Sequence, residues 1–312
     1  MRTFSLVFIS VLAVACGPQK RDPNHTGDDD DGSGSVDAPD VGPCVPSTEG
    51  ATPDTCTDGR DNDCDNAVDC GDPDCSGIGG CPVCGQVENP EAQPLALPDG
   101  VSSGASCNTD ADCMSASPST PNCIIAGTAG AAIKECHASY SSVLDFVGFP
   151  ANATLTDTNK LLKVCMKIEH SWMRDLHMEL ISPPDMGGNR RKMALHKFID
   201  RTGDEAYLGE ANDNDTAANP VPGVGYEYCW DHTATVEMIN GDTATWMGFI
   251  NQVPMGNYKP ATPFTALQDA PLNGTWELRV TDLWGIDNGF MFEWSITFDP
   301  SLVVDCSGPI IQ

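Results

Sequence analysis

The sequence predicts an all-β fold: a jelly-roll-like antiparallel β-sandwich, preceded by small disulfide-rich irregular modules and a disordered tether. Three observations carry this. From Ala138 onward, eight or so short apolar–polar alternating runs recur between Gly, Pro and Asn breaks, with no helical period of useful length. Upstream, cysteines crowd a stretch with few aromatic or large aliphatic residues, which cannot hold itself by burial alone. Before that lies an Asp-, Gly- and Pro-rich tract with almost nothing to bury.

The clearest pattern is residues 272–298, LNGTWELRVTDLWGIDNGFMFEWSITF. Trp276, Leu278 and Val280 alternate with Glu277, Arg279 and Thr281. Phe292, Trp294, Ile296 and Phe298 alternate with Glu293, Ser295 and Thr297. Asp287-Asn288-Gly289 between them tolerates positive φ, so the segment reads as a β-hairpin with apolar groups inward and charges outward. A hairpin is marginal alone, so a second sheet must cover it. The sequence offers strands at 143–149, 161–168, 176–180 and 192–199, and weaker ones at 226–230, 234–239 and 246–253. A long polar loop, 203–225, carries Asp204, Glu210, Asp213 and Asp215.

The net charge of −29 disfavours nucleic acid as a partner, since a polyanion repels a polyanion. The acid is concentrated: between Asp28 and Cys75 stand 14 aspartates and Glu49 against Arg60 alone. That composition suits divalent cations, cationic surfaces or solubility. Fifteen cysteines imply an oxidising compartment.

Residues 1–15 carry Arg2 and then an apolar run of signal-peptide length, too short to span a bilayer. The run ends in AVAC, which resembles a bacterial lipobox, with Ala13 where Leu is commonest. The resemblance implies cleavage before Cys16 and its lipidation, hence a membrane partner through a lipid anchor. Gly17, rather than Asp, favours the outer membrane. The alternative is an ordinary secretory signal. With Cys16 set aside, Cys44, Cys56, Cys64, Cys70, Cys75, Cys81, Cys84, Cys107, Cys113, Cys123, Cys136, Cys165, Cys229 and Cys306 form an even set of disulfide candidates.

Residues 16–43 are the extended acidic tether. Residues 44–84 form a Cys/Asp-rich module. In it Asp61, Asp63, Asp65, Asp69 and Asp72 occupy positions 1, 3, 5, 9 and 12 of a twelve-residue loop, with the Ala67 carbonyl at position 7. That spacing wraps oxygens around Ca²⁺. The loop lacks flanking helices and ends in Asp rather than Glu, so it resembles thrombospondin type-3 or dockerin repeats more than an EF-hand. DGRDNDCDNAVDC also resembles the Cys/Asp-rich module of MopE-like bacterial surface proteins. A disulfide-stapled acidic loop without metal, or with another metal, stays open; hard carboxylates with no His or Met disfavour copper. Cys81-Pro-Val-Cys84 reads as structural disulfide cysteines rather than a redox pair. Residues 85–137 are a Pro-rich linker (85–100) and a disulfide-tied insert.

Two further motifs carry a family resemblance across residues 138–300. VCMKIEHSWMRDLHMELISPPDMG and LNGTWELRVTDLWGIDNGFMFEWSITF resemble, in order, the two dense motifs of the P domain (P/Homo B) of proprotein convertases and many bacterial secreted proteins. The resemblance implies a jelly-roll sandwich that in convertases supports a subtilisin-like protease. No Asp, His or Ser box of such a protease is present, nor GxSxG or HExxH. The expectation is therefore a non-enzyme, even though the family accompanies serine endopeptidases. Asp175 and Asp282 match family positions and are candidates for a structural Ca²⁺ or a turn cap. His170 and Trp172 read as packing residues, His177 and His196 as outward strand residues. Cys165 and Cys229 are expected to pair, and Cys136 and Cys306 to join the sandwich ends. Three functions fit: a surface lipoprotein binding an envelope or extracellular protein or glycan, an accessory to a protease encoded elsewhere, and a metal-capturing surface protein.

Overall fold

The computed structural model describes residues 46–312 apart from 66, 82–83, 102, 126–133, 199–205, 213–219, 239–251, 304–305 and 307–312. Cys16, Cys44, the tether, Asp204, Asp213, Asp215 and most of the expected strand 246–253 lie outside the described residues.

Two sheets pack face to face. One has five strands in the order β1 (Gln86–Ala96), β11 (Gly289–Phe298), β5 (Leu161–His170), β8 (Tyr226–Asp231), β9 (Gly256–Tyr258). The other has four: β4 (Tyr140–Phe146), β10 (Gly274–Asp282), β6 (Leu176–Ile181), β7 (Lys192–His196). All pairings in both are antiparallel except β8 with β9. A third sheet, the hairpin β2 (Asn122–Ile125) and β3 (Lys134–His137), belongs to the insert with helix α1 (Asp110–Ala116). Among the described residues no helix is long and apolar enough to cross a membrane.

One apolar cluster fills the space between the two large sheets. Trp276 and Phe298 meet there with ring centroids 5.5 Å apart, and Phe146 meets Phe298 edge-on at 5.2 Å. Trp294 Nε1 crosses from β11 to donate to Ser142 Oγ on β4 at 3.0 Å. The indole thus buries its body and satisfies its one donor, as a buried Trp must.

The expected hairpin is overturned. β10 pairs with β4 and β6, whereas β11 pairs with β1 and β5. The segment after Asp282 carries the chain from one sheet to the other, so the two aromatic faces oppose each other across the core instead of lying side by side. Both strands are interior to their sheets, which leaves neither an edge free for the other. The inward set also shifts. A bulge between Met291 and Glu293 turns Met291 into the core, fully buried, and leaves Phe292 half-exposed.

Residues 85–100, expected as linker, are corrected too: β1 forms an outer strand against β11, with a register break between Pro90 and Leu95. Proline is tolerated there because an outer strand leaves one row of backbone groups unpaired. The expected strand 234–239 makes only an isolated bridge, Glu237 with Lys259, in its described part.

The disulfides tie modules as well as strands. Cys56–Cys75 and Cys70–Cys81 staple the acidic module, and Cys64 is also disulfide-bonded. Cys107–Cys123 and Cys113–Cys136 staple the insert, and Cys165–Cys229 joins β5 to β8. Cys136 and Cys306 are not partners; Cys306 bonds Cys84 across 222 residues of sequence. That bond, with Cys306 N–H donating to Gly71 O at 3.1 Å, fixes the acidic module to the C-terminal end of the sandwich.

Candidate metal centre

The acidic module has a core made almost wholly of cystine: Cys56, Cys75 and Cys81, with Cys70 and Ile78 against them. Backbone geometry is therefore set by disulfides and by aspartates bonding their own chain. Asp61 Oδ1 accepts from Cys64 N–H (2.6 Å) and Asp65 N–H (3.2 Å). Asp63 Oδ1 accepts from Asp65 N–H, and Asp65 Oδ1 from Ala67 N–H. These bonds hold Cys64 at φ 72°, so the loop turns back and its carboxylates converge.

Asp61, Asp63 and Asp65 bring one oxygen each within 4.8 Å of one another, and Asp63, Asp72 and Asp74 do the same. Asp63 is common to both sets. Asp69 belongs to neither: both its oxygens accept from Gly59 N–H, at 3.0 and 3.1 Å. Asp74, which the loop spacing does not single out, joins the second set, and the signal for it is the Asp72-Pro-Asp74 pair. Proline begins a short 3-10 turn whose Asp74 N–H is capped by Asp72 Oδ1 at 2.7 Å, which sets the two carboxylates together. For Ala67 the structure fixes the N–H, on Asp65, rather than a carbonyl role.

Asp72 is the informative member. It is 1% exposed, and its Oδ2 is buried with no hydrogen-bond partner. Burial, with Asp65, Asp63 and Glu49 nearby, pushes its pKa up to about 6. A buried carboxylate among like charges is costly unless a cation meets it. The donor set is all hard oxygen, which suits Ca²⁺.

The second expected pair, Asp175 and Asp282, sits at one end of the sandwich. Asp175 ends a 3-10 turn entering β6, Asp282 ends β10, and His170 ends β5. All three are at most 1% exposed, and each offers an atom within 4.8 Å of the others. His170 Nδ1 accepts from Trp172 N–H at 3.0 Å, which places the ring proton on Nε2, 3.7 Å from Asp282 Oδ2. Asp282 Oδ1 accepts from Trp284 N–H. Gly289 lets β11 pass close by; a Cβ there would stand 2.4 Å from His170 Cδ2. Burial works against charge on His170, but Asp282, Asp175 and Glu169 outweigh it and raise its pKa to about 9. Burial, with Asp282 and Asp287, raises Asp175. The Asp282 carboxylate is the nearest counter-charge to the ring, and an imidazole donor fits calcium poorly. Nδ1 is engaged by Trp172 N–H, Nε2 is buried without a hydrogen-bond partner, and the ring is fully buried where the ends of β5, β6 and β10 meet.

His177 and His196, expected outward, are both buried, at 5% and 4% exposure. The insert covers the face bearing His177, and a bulge in the β6–β7 register puts His196 opposite Met178 on the core side. Burial, reinforced by His177, lowers His196 to about 3. A depressed histidine leaves the unfolded chain binding the extra proton, so stability falls as pH drops below about 6.5 and continues to fall toward 3. At pH 4.5 this site alone costs about 2 kcal/mol relative to pH 7. Urea midpoints at the two pH values, for wild type and His196→Gln, isolate it: the drop must be smaller in the variant. An equal drop would place the acid sensitivity elsewhere.

Protein-family profiles, characterised proteins and solved structures show no match to this chain.

Proposed function

We propose that this chain is a non-catalytic, surface-anchored lipoprotein. In this reading Ca²⁺ stabilises the acidic module, and a P-type jelly-roll sandwich binds or scaffolds a partner at the bacterial cell envelope. The observation that carries the metal part is Asp72 Oδ2, buried without a partner beside Asp63 and Asp74. A module whose core is cystine has little apolar burial to offset that carboxylate, so a bound cation supplies the missing stabilisation. Asp61, Asp63, Asp65, Asp72 and Asp74 would hold the ion, and the bond from Cys84 to Cys306 would transmit its ordering to the sandwich. The lipid on Cys16 and the acidic tether would place both outside the membrane.

Calcium titration of the full chain, followed by thermal melting, tests this. At a calcium concentration about 100 times Kd the protein gains about 2.7 kcal/mol, and Asp63→Ala, which removes the carboxylate common to both sets, abolishes the gain. Protons compete for Asp72, so the increment shrinks as pH falls through about 6. Identical melting with and without calcium at pH 7 would remove the metal from the reading.

A further inference from the structure

On the outer face of the four-stranded sheet, the β2–β3 hairpin and the start of α1 stand over β6, β7 and β10. Between them is a cleft of about 670 Å³. Its floor follows from strand alternation: His177, Glu179 and Ile181 on β6, and Arg279 on β10, point away from the core. The chain has 16 lysines and arginines against a net charge of −29, yet five of the 16 line this one cleft. Among its described lining residues only Asp110 and Glu179 are acidic.

The five cations are not equivalent. Arg279 and Lys192 are each drawn onto Asp110 and Glu179, and Arg190 onto Glu277. Lys134 gives its ammonium to the Asn108 carbonyl at 3.2 Å, and Lys197 has no carboxylate partner among the described residues. Both are exposed. After internal pairing the cleft keeps two ammonium groups without a counter-charge among the described residues. His177 lies in the floor, 5% exposed, with Nδ1 lacking a hydrogen-bond partner.

We propose that this cleft binds an anionic saccharide, a sugar bearing a carboxylate. Lys134 and Lys197 take the carboxylate, Asp110 and Glu179 accept from ring hydroxyls, and Ile125, an exposed apolar residue of the lining, receives the C–H face. An acidic peptide would meet the same lysines, but its side chains would be repelled by the two carboxylates and it brings no row of hydroxyl donors for them. The volume lies within the range of about 300–1,000 Å³ typical of ligand sites and admits a short oligosaccharide. The inference deepens the binding role proposed for the sandwich. Its failure is separable from failure of the metal reading, because neither lysine touches the acidic module.

Calorimetric titration of the full chain at low salt with a hyaluronan tetrasaccharide tests it, against neutral chitotetraose and tetraglutamate. The expected result is binding of the uronate sugar alone, weakened about tenfold or more in Lys134→Ala/Lys197→Ala and by added salt. Both lysines are exposed, so the variant keeps the wild-type melting temperature. No binding of the tetrasaccharide, undiminished binding by the variant, equal binding of chitotetraose, or binding of tetraglutamate in its place would each overturn the proposal.

Discussion

Trp276→Ala is expected to destabilise the sandwich by about 3–5 kcal/mol, the range for emptying a large aromatic site in a packed core. Trp276 is fully buried, its ring contacts Phe298 of the opposite sheet, and its Nε1 donates to Leu272 O at 3.0 Å. Truncation therefore removes an inter-sheet contact and orphans a carbonyl at once. Trp276→Phe keeps most of the volume and loses chiefly the hydrogen bond, at about 1–2 kcal/mol. Urea unfolding with disulfides intact measures both. A loss below about 1 kcal/mol for the alanine variant would mean that the two sheets do not meet at this indole.

The inward position of Trp276 was legible in the sequence because period-2 alternation reports which face is apolar. It does not report which strand lies beside which. The same alternation serves a hairpin and a crossing between sheets, and Asp287-Asn288-Gly289 permits reversal without dictating in-plane pairing. Hence β10 and β11 are readable as strands, but their membership of different sheets is not. Alternation also says nothing about what covers the second face. Glu277, Arg279 and Thr281 look solvent-facing, yet they are at most 6% exposed. Arg279 is covered by the disulfide insert, whose Asp110 reaches it from 169 residues away, while Arg190 lies on Glu277 and Ser139 meets Thr281 Oγ1. No local pattern encodes such a lid.

The candidate metal loop was legible in part for a related reason. Asp61, Asp63 and Asp65, two residues apart in the loop, converge in one set, and Asp72, seven residues further on, converges with Asp63 in the other. Asp69, at φ 51°, lies outside both sets because Gly59 N–H ten residues upstream claims its carboxylate, a tertiary competitor that spacing cannot see. Strand β1 hid behind its prolines, which read as linker residues unless the strand is known to be an outer one.

Arg279→Met is expected to cost about 3–5 kcal/mol, although methionine fits the same space and is more apolar. Arg279 stands opposite Glu179 on β6 and Ser141 on β4. Its guanidinium meets Glu277 through Nη2 at 2.9 Å and through Nε at 3.1 Å, and Glu179 through Nη1 at 3.3 Å. Burial opposes the charge of both carboxylates. For Glu277, Arg279, Ser141 and Arg190 more than offset that, and for Glu179, His177, Lys192 and Arg279 do, so both carboxyls stay below their ordinary range. Removing the arginine strands these buried charges, and Arg190 and Lys192 recover only part of the loss. The sign with pH follows. A lowered carboxylate contributes stability that is present above its unfolded pKa and lost as pH falls through the folded value. The penalty of Arg279→Met is thus full at pH 7 and fades below about 4.5. Adding Glu277→Gln to Arg279→Met should cost less than the sum of the two single changes by about 1–3 kcal/mol, because one stranded charge has gone. Strict additivity in that cycle, or a pH-independent penalty, would mean the three side chains do not act as one buried network beneath the insert.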